Sequence, residues 1–195
     1  MLTSRFEQAL SYAAVVHAGH MRKKTTIPYI SHLLIVAGTV LDYFGDEDEA
    51  ISALLHDAVE DVGGEWRLAD IRQRFGDRVA NIVASCSNAV TDADKDRPAA
   101  ERRLKYLEHL RHEENASVLL VASCDKLANA RSILKDHRSV GDQVFDRFSV
   151  GKVGTMDYYR ELVEVLTERG PKPVGEEFAR VVSKLIARAG GEALA

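Results

Sequence analysis

Cysteine is nearly missing from this chain, with two in 195 residues. Cys86 and Cys124 lack the paired spacing of a zinc site and are too few for a disulfide scaffold, which suits a reducing cytoplasm. Long apolar runs are missing too. None reaches the roughly 18 residues of a membrane span, and Arg5 and Glu7 interrupt the opening MLTSRFEQALSYAAVVH where a leader would need to be apolar. Charge of one sign is not in excess: 26 Lys and Arg against 30 Asp and Glu leave a net −4. Neither nucleic acid nor an anionic membrane is therefore expected as a partner, and an anionic ligand would have to be attracted locally. Alternating strand patterns are absent as well, which points to an all-α, soluble, cytoplasmic protein.

What is present is 46% hydrophobic and 29% charged residues, enough for one globular domain with a real core. Phe6, Leu10, Ala13, Ala14 and His17 recur at helical steps and predict an inward face over residues 4–18. A basic connection, HMRKKTTIP, follows, with Pro28 as a boundary. SHLLIVAGTVLDYF reads as a second helix, with Ser31 as its cap and Gly45 as its end. DEDEAISALLHDAVEDV reads as a third, with Asp46 and Glu49 placed to serve its first turn and Gly63 and Gly64 stopping it. Two helices flank a turn at Gly76, TDADKDRPAA is a polar loop, and a helix covers 99–113. SVLLVASCDKLANARSILKDH reads as a long buried helix. After VGDQVFDRF, a loop SVGKVG leads to the helix TMDYYRELVEVLTER, and GPKP to the helix GEEFARVVSKLIARA. The expected architecture is a single-domain bundle of roughly ten helices over residues 1–195, with a motif-bearing core at about 4–136 and C-terminal helices at about 139–190 packed on it.

The stretch LLHDAVED, residues 54–61, sets four ionisable residues in a run that otherwise asks for burial. An unpaired buried charge is very costly. On a continuous helix His56 and Glu60 would share one face, with Asp57 and Asp61 beside them. His32 opens an apolar helix and Asp125 sits inside VLLVASCDKLANA, so each also needs a partner. A divalent ion held by His32, His56, Asp57 and Asp125 would answer all four burials together. The alternative for Asp125 is a buried ion pair with Lys126 or Arg131. A mixed nitrogen and oxygen set suits Mn²⁺, Fe²⁺ or Zn²⁺ better than Ca²⁺. Four protein ligands on an octahedral ion would leave two positions, enough for a water and a phosphate oxygen. Glu60 and Asp61, one turn on, suit water placement and proton transfer. They oppose the negative end of the helix dipole, so helix stability does not explain them.

With those residues in view, the sequence resembles the HD-domain phosphohydrolases. More narrowly, it is similar to the hydrolase domain of the Rel/SpoT enzymes and to the stand-alone small alarmone hydrolases. HAGHMRKKTTIPYISH is similar to that family's first motif, LLHDAVED to its His-Asp motif with a Glu-Asp pair, FGDRVANIV to the segment after it, and CDKLANARSIL to its last metal-aspartate motif. Together these span roughly residues 6–135, and four motifs in order are far more specific than one. The resemblance implies an HD-type helical fold, with His32, His56, Asp57 and Asp125 binding one divalent ion, usually Mn²⁺, and Glu60 and Asp61 working on the water. It further implies removal of pyrophosphate from the ribose 3′ position of guanosine tetra- or pentaphosphate, giving GDP or GTP. Hydrolysis alone is expected, since the chain has no room for the synthetase and regulatory domains of the long Rel enzymes.

Such a small-molecule substrate needs a basic wall. Arg22, Lys23 and Lys24 offer one, with Arg22 suited to stacking on a purine and Lys23 to a phosphate. Asn129 lies one turn from Asp125 and matches the family's nucleotide-contacting asparagine. Tyr158 and Tyr159 fall where relatives place a substrate-side tyrosine, and the sequence leaves the choice between them open. Lys152, Arg102 and Lys105 are phosphate contacts or surface charges in equal measure. His20, Leu33 and Ala128 depart from the family's usual residues without removing a ligand, and they bear on base and phosphate preference. The competing functions are an HD phosphohydrolase acting on an adenine alarmone or on the 2′-phosphate of NADPH, and a silent nucleotide-binding module. An oligomer is not readable from the sequence.

Overall fold

The structure, a computed structural model, describes residues 1–87 and 96–190. Helix α1 covers Ser4–Val16, with the Thr3 side chain accepting from Arg5 N at 3.2 Å. Its buried side chains are Ala9 and Ala13, and Ala14 of the expected face is exposed. Helix α2, Ile30–Asp42, starts one residue before the expected cap: Tyr29 occupies the cap position, and Ser31 makes no capping bond. Asp46 and Glu49 form a reciprocal capping box at the start of α3, Glu47–Leu55. They satisfy two backbone donors that the first turn leaves open.

The expected third helix does not run on to residue 62. It stops at Leu55, turns through His56 and Asp57, and resumes as the single turn α4, Ala58–Asp61. The cause is local. His56 Nδ1 lies 2.8 Å from Ala53 O, the carbonyl that the next helical turn would use as acceptor. Gly63 then takes a φ of +107°, open to glycine at little cost. A Cβ there would also meet the Trp66 ring at 2.5 Å.

Helices α5 (Gly64–Phe75) and α6 (Asp77–Cys86) flank Gly76. Of the expected loop TDADKDRPAA, residues 91–95 lie outside the described residues. Pro98 precedes α7, Ala99–His112, and α8 runs from Ala116 to Val140. Segment VGDQVFDRF contributes a 3₁₀ helix, Gly141–Arg147. Much of the expected loop SVGKVG is already helical, because α9 covers Gly151–Arg169; α10 covers Lys172–Arg188.

Among the described residues there is no strand, only an isolated bridge between Met21 and Pro28 that closes the basic loop. Helix α8 is the axis. It is buried without a break from Ser117 to Asp125 and carries exposed Arg131, Lys135 and Arg138 further on, and α2, α3, α6, α10 and the 3₁₀ turn pack on it. The buried side chains of these helices form one continuous core. No helix among the described residues is long and apolar enough to cross a membrane.

Candidate metal centre and cleft

The break between α3 and α4 positions the site. It sets His56 at the end of one helix and Asp57 at the head of the next, where α2 brings His32 and α8 brings Asp125. His56 Nε2 lies 3.0 Å from Asp57 Oδ2 and 3.5 Å from Asp125 Oδ1. His32 Nε2 lies 3.1 Å from Asp125 Oδ1 and 3.6 Å from Asp57 Oδ2. Ligand atoms of His32, His56 and Asp57 all fall within 4.8 Å of one another, a spacing that can hold a metal ion. Exposure is 4% for His32, 3% for His56 and 6% for Asp125.

The electrostatics are those of a coupled buried set. Burial pushes the His56 imidazole down, but the Asp57 and Asp125 carboxylates outweigh it and hold it well above its ordinary value. Burial pushes Asp57 up, and the two imidazoles hold it well below. Asp125 is likewise held well below by Lys126 and the imidazoles, against its burial. The ion-pair reading of Asp125 is realised with Lys126. Its Oδ2 pairs with Lys126 Nζ at 2.7 Å, while Oδ1 faces the imidazoles and accepts from Asn129 Nδ2 at 2.6 Å. Arg131 pairs instead with Glu177. Lys126 rests on the Tyr106 ring, 4.8 Å from its centroid.

Glu60 and Asp61 stand at the edge of this corner. Glu60 Oε1 accepts from Arg102 Nη1 at 3.2 Å. Burial, then Asp57 and Glu60, raises the Asp61 carboxyl to about 7. Both residues line a cleft of about 1100 Å³ that reaches the buried set at His32. Its walls carry Arg22, Lys23, Arg102, Arg103, Lys126, Arg131, Lys135 and Arg147 against the carboxylates of Glu60, Asp61 and Asp136. The locally basic surface expected of a chain with negative total charge is present.

Arg22, Lys23, Asn129, Tyr158 and Tyr159 all line this cleft. Arg22 Nη2 donates to Asn129 Oδ1 at 2.8 Å, and its guanidinium lies 5.7 Å from the Tyr29 ring centroid. Tyr158 is half-buried beneath Arg103, 4.9 Å from its ring, whereas Tyr159 is 6% exposed and leans on Phe178. Lys152 pairs with Asp142 at 2.7 Å and is not among the residues that line the cleft. Its place in the first turn of α9 was hidden while SVGKVG read as a loop. Lys24 donates to Asp146 O, tying the basic loop to the 3₁₀ helix.

Sequence reasoning assigned no role to Tyr29, whose hydroxyl donates to Asp57 Oδ2 at 2.5 Å. Burial and Asp57 raise its phenol far above the ordinary value, so it stays a donor. The signal was there: Tyr29 stands three residues before His32, a spacing that shares a helix face.

Comparison with known proteins identifies the family and the fold. The HD domain family matches residues 9–150. A guanosine-3′,5′-bis(diphosphate) 3′-pyrophosphohydrolase of Aquifex aeolicus is 33% identical over 65% of this chain and 17% of its own length. A Drosophila melanogaster protein of the same name, MESH1, is 32% identical over 67% of this chain and 70% of its own length. The chain thus spans 17% of the first of these relatives, and 22% of a Brucella suis GTP pyrophosphokinase rsh to which it is 31% identical. A solved Listeria monocytogenes structure superposes with a TM-score of 0.68 at 30% identity, covering 78% of this chain and 96% of that one. A metazoan ortholog of SpoT, described as hydrolysing ppGpp, shares the fold at a TM-score of 0.75 and 24% identity, covering 93% and 95%.

Proposed function

This chain belongs to the HD domain family, and from its site we propose that it is a metal-dependent hydrolase removing the 3′-pyrophosphate from guanosine tetra- or pentaphosphate. One observation carries the reading: two buried imidazoles and two carboxylates converge at one end of a basic cleft. Relatives bearing the name of that activity support the choice of substrate.

The residues fit an ion. His56 Nε2 is buried and has no hydrogen bond of acceptable geometry although Asp57 Oδ2 is near, while Nδ1 is fixed by Ala53 O. An orphaned buried nitrogen costs about 1–3 kcal/mol, and a cation facing it removes that cost. His32, His56, Asp57 and Asp125 would hold the ion, with Mn²⁺ as the proposed one because a mixed imidazole and carboxylate set suits it. When bound, a divalent ion supplies Lewis acidity toward a phosphate oxygen and a more acidic water.

The chain's own groups do the rest. Tyr29 and Asn129 hold Asp57 and Asp125 in orientation, as partners beyond the ligands commonly do. Glu60 and Asp61 take the proton of the water that attacks phosphorus and return one to the ribose 3′ oxygen as the P–O bond breaks. Arg22, its plane steadied by Asn129, lies against the purine, and Lys23 meets phosphate. The nucleotide is the proposed partner, and the two buried free thiols suit the reducing cytoplasm expected from composition.

Incubating the Mn²⁺-loaded protein with a nucleotide panel tests this reading. Guanosine tetraphosphate should yield GDP. Turnover of an adenine alarmone or of NADPH with the guanosine compound untouched would move the assignment to another HD phosphohydrolase. Binding without turnover of any would leave a silent module.

A further inference from the structure

His17, at the end of α1, is buried with both ring nitrogens empty. Its side chain has 0% exposure, and neither Nδ1 nor Nε2 has a hydrogen-bond partner among the described residues. A bare buried polar atom is costly, and in a native fold such an atom calls for a reason. The neighbours supply one. The ring stacks on Tyr29 with centroids 5.0 Å apart and planes 22° apart, and the His20 ring meets it edge-on at 5.5 Å. Tyr29 in turn donates to Asp57, one of the four residues of the buried set. His17 Nδ1 also lies 4.0 Å from Asp61 Oδ2.

Burial holds the His17 imidazole down at about 4, so near neutrality the ring is uncharged and carries one N–H and one lone pair. A 4.0 Å separation is too long for a hydrogen bond. Contacts of catalytic groups are often long in unliganded proteins, however, and tighten only when substrate is bound.

We propose that His17 is the positioning residue of Asp61, its Nδ1–H closing on Asp61 Oδ2 when a phosphorylated nucleotide fills the cleft. The contact fixes the carboxylate and leaves its other oxygen to take the water's proton. The stack on Tyr29 sets the plane of the imidazole, so one tyrosine steadies both Asp57 and the residue that steadies Asp61. This rests on the reading of Glu60 and Asp61 as the proton-handling pair. A merely structural ring at this position would be served as well by phenylalanine, which keeps the stack and removes two unpartnered atoms.

His17→Phe and His17→Asn separate the two roles. The phenylalanine variant should melt at or above the parent temperature and keep its divalent ion. Its KM for guanosine tetraphosphate should stay within about twofold while kcat falls roughly tenfold or more. Asparagine, whose amide can donate from near the Nδ1 position, should recover most of that loss. A phenylalanine variant with kcat within about twofold of the parent would overturn the proposal. So would a kcat loss that tracks a fall in melting temperature and is not recovered by asparagine. Nitrogen NMR of the metal-free parent reads the same point without turnover: the Nδ1–H tautomer is expected, and a ring protonated only at Nε2 would contradict it. If the parent leaves guanosine tetraphosphate untouched, the substrate reading fails, and the tautomer still decides the role of His17.

Discussion

The buried corner formed by His32, His56, Asp57 and Asp125 and the basic wall of the cleft are built on opposite terms. In the corner three of the four residues are at most 6% exposed, and every charge is answered by another member or by Lys126. On the wall several cations hold carboxylates of their own, Arg131 with Glu177, Arg147 with Asp136 and Arg102 with Glu60. Water screens such partly exposed pairs, and each is worth little alone. Together they still set a field that draws an anion. The corner is therefore a single unit that fails as a whole, whereas the wall loses strength one contact at a time.

The largest effect should come from Asp125→Ala, which takes one member from the corner and leaves Lys126, 11% exposed, without its carboxylate. Breaking a buried pair on one side costs roughly 3–5 kcal/mol. Denaturant melts should show that loss, and elemental analysis should show the divalent ion lost with it. A variant of normal stability that keeps a full equivalent of metal would break the comparison. Next comes the pair at the boundary of the two regions. Glu60→Gln with Asp61→Asn keeps size and hydrogen bonding but removes both bases. Turnover should fall by about 10² to 10⁴ at unchanged metal content; a near-normal rate would end their acid–base role.

The wall is sharpened by two single substitutions. Arg22→Ala removes the guanidinium that Asn129 holds, and KM should rise about tenfold, more than kcat falls, because a contact to the base acts on ground and transition states alike. Lys152→Ala should leave both constants within about twofold, since that lysine is spent on Asp142 at the surface. Steady-state kinetics on the two variants checks both. A separate effect lies in the pH dependence of the metal-free protein. Asp61 is held at about 7, above its unfolded value, so the native form keeps a proton that the unfolded chain releases. The associated stability is full in acid and is lost as pH rises through about 7. Asp61→Asn should thus leave melting nearly unchanged at about pH 4 and raise it relative to the parent at about pH 8.

The same contrast explains what could be read from the amino-acid order. His56 and Asp125 were legible because charge inside an apolar run is an anomaly that only a few arrangements can answer. The capping box at Asp46 and Glu49 was legible because its donors and acceptors lie within one turn. The break at His56 was not, because it depends on which carbonyl the imidazole takes, and local helix propensity runs straight through it. The Asp142 partner of Lys152 was hidden for a related reason: a lysine beside a glycine reads alike whether it faces a phosphate or a carboxylate, and only tertiary packing decides. Tyr29 and His17 were visible as residues of a motif or of an inward face, while their partners stand 28 and 44 residues away in sequence.

The most direct measurement is phosphorus NMR of the products formed from guanosine tetraphosphate in ¹⁸O-labelled water, with Mn²⁺ present. Attack at phosphorus over the buried corner predicts GDP and intact pyrophosphate, with the single label in the pyrophosphate. Orthophosphate in place of pyrophosphate, or label on the nucleoside, would contradict it.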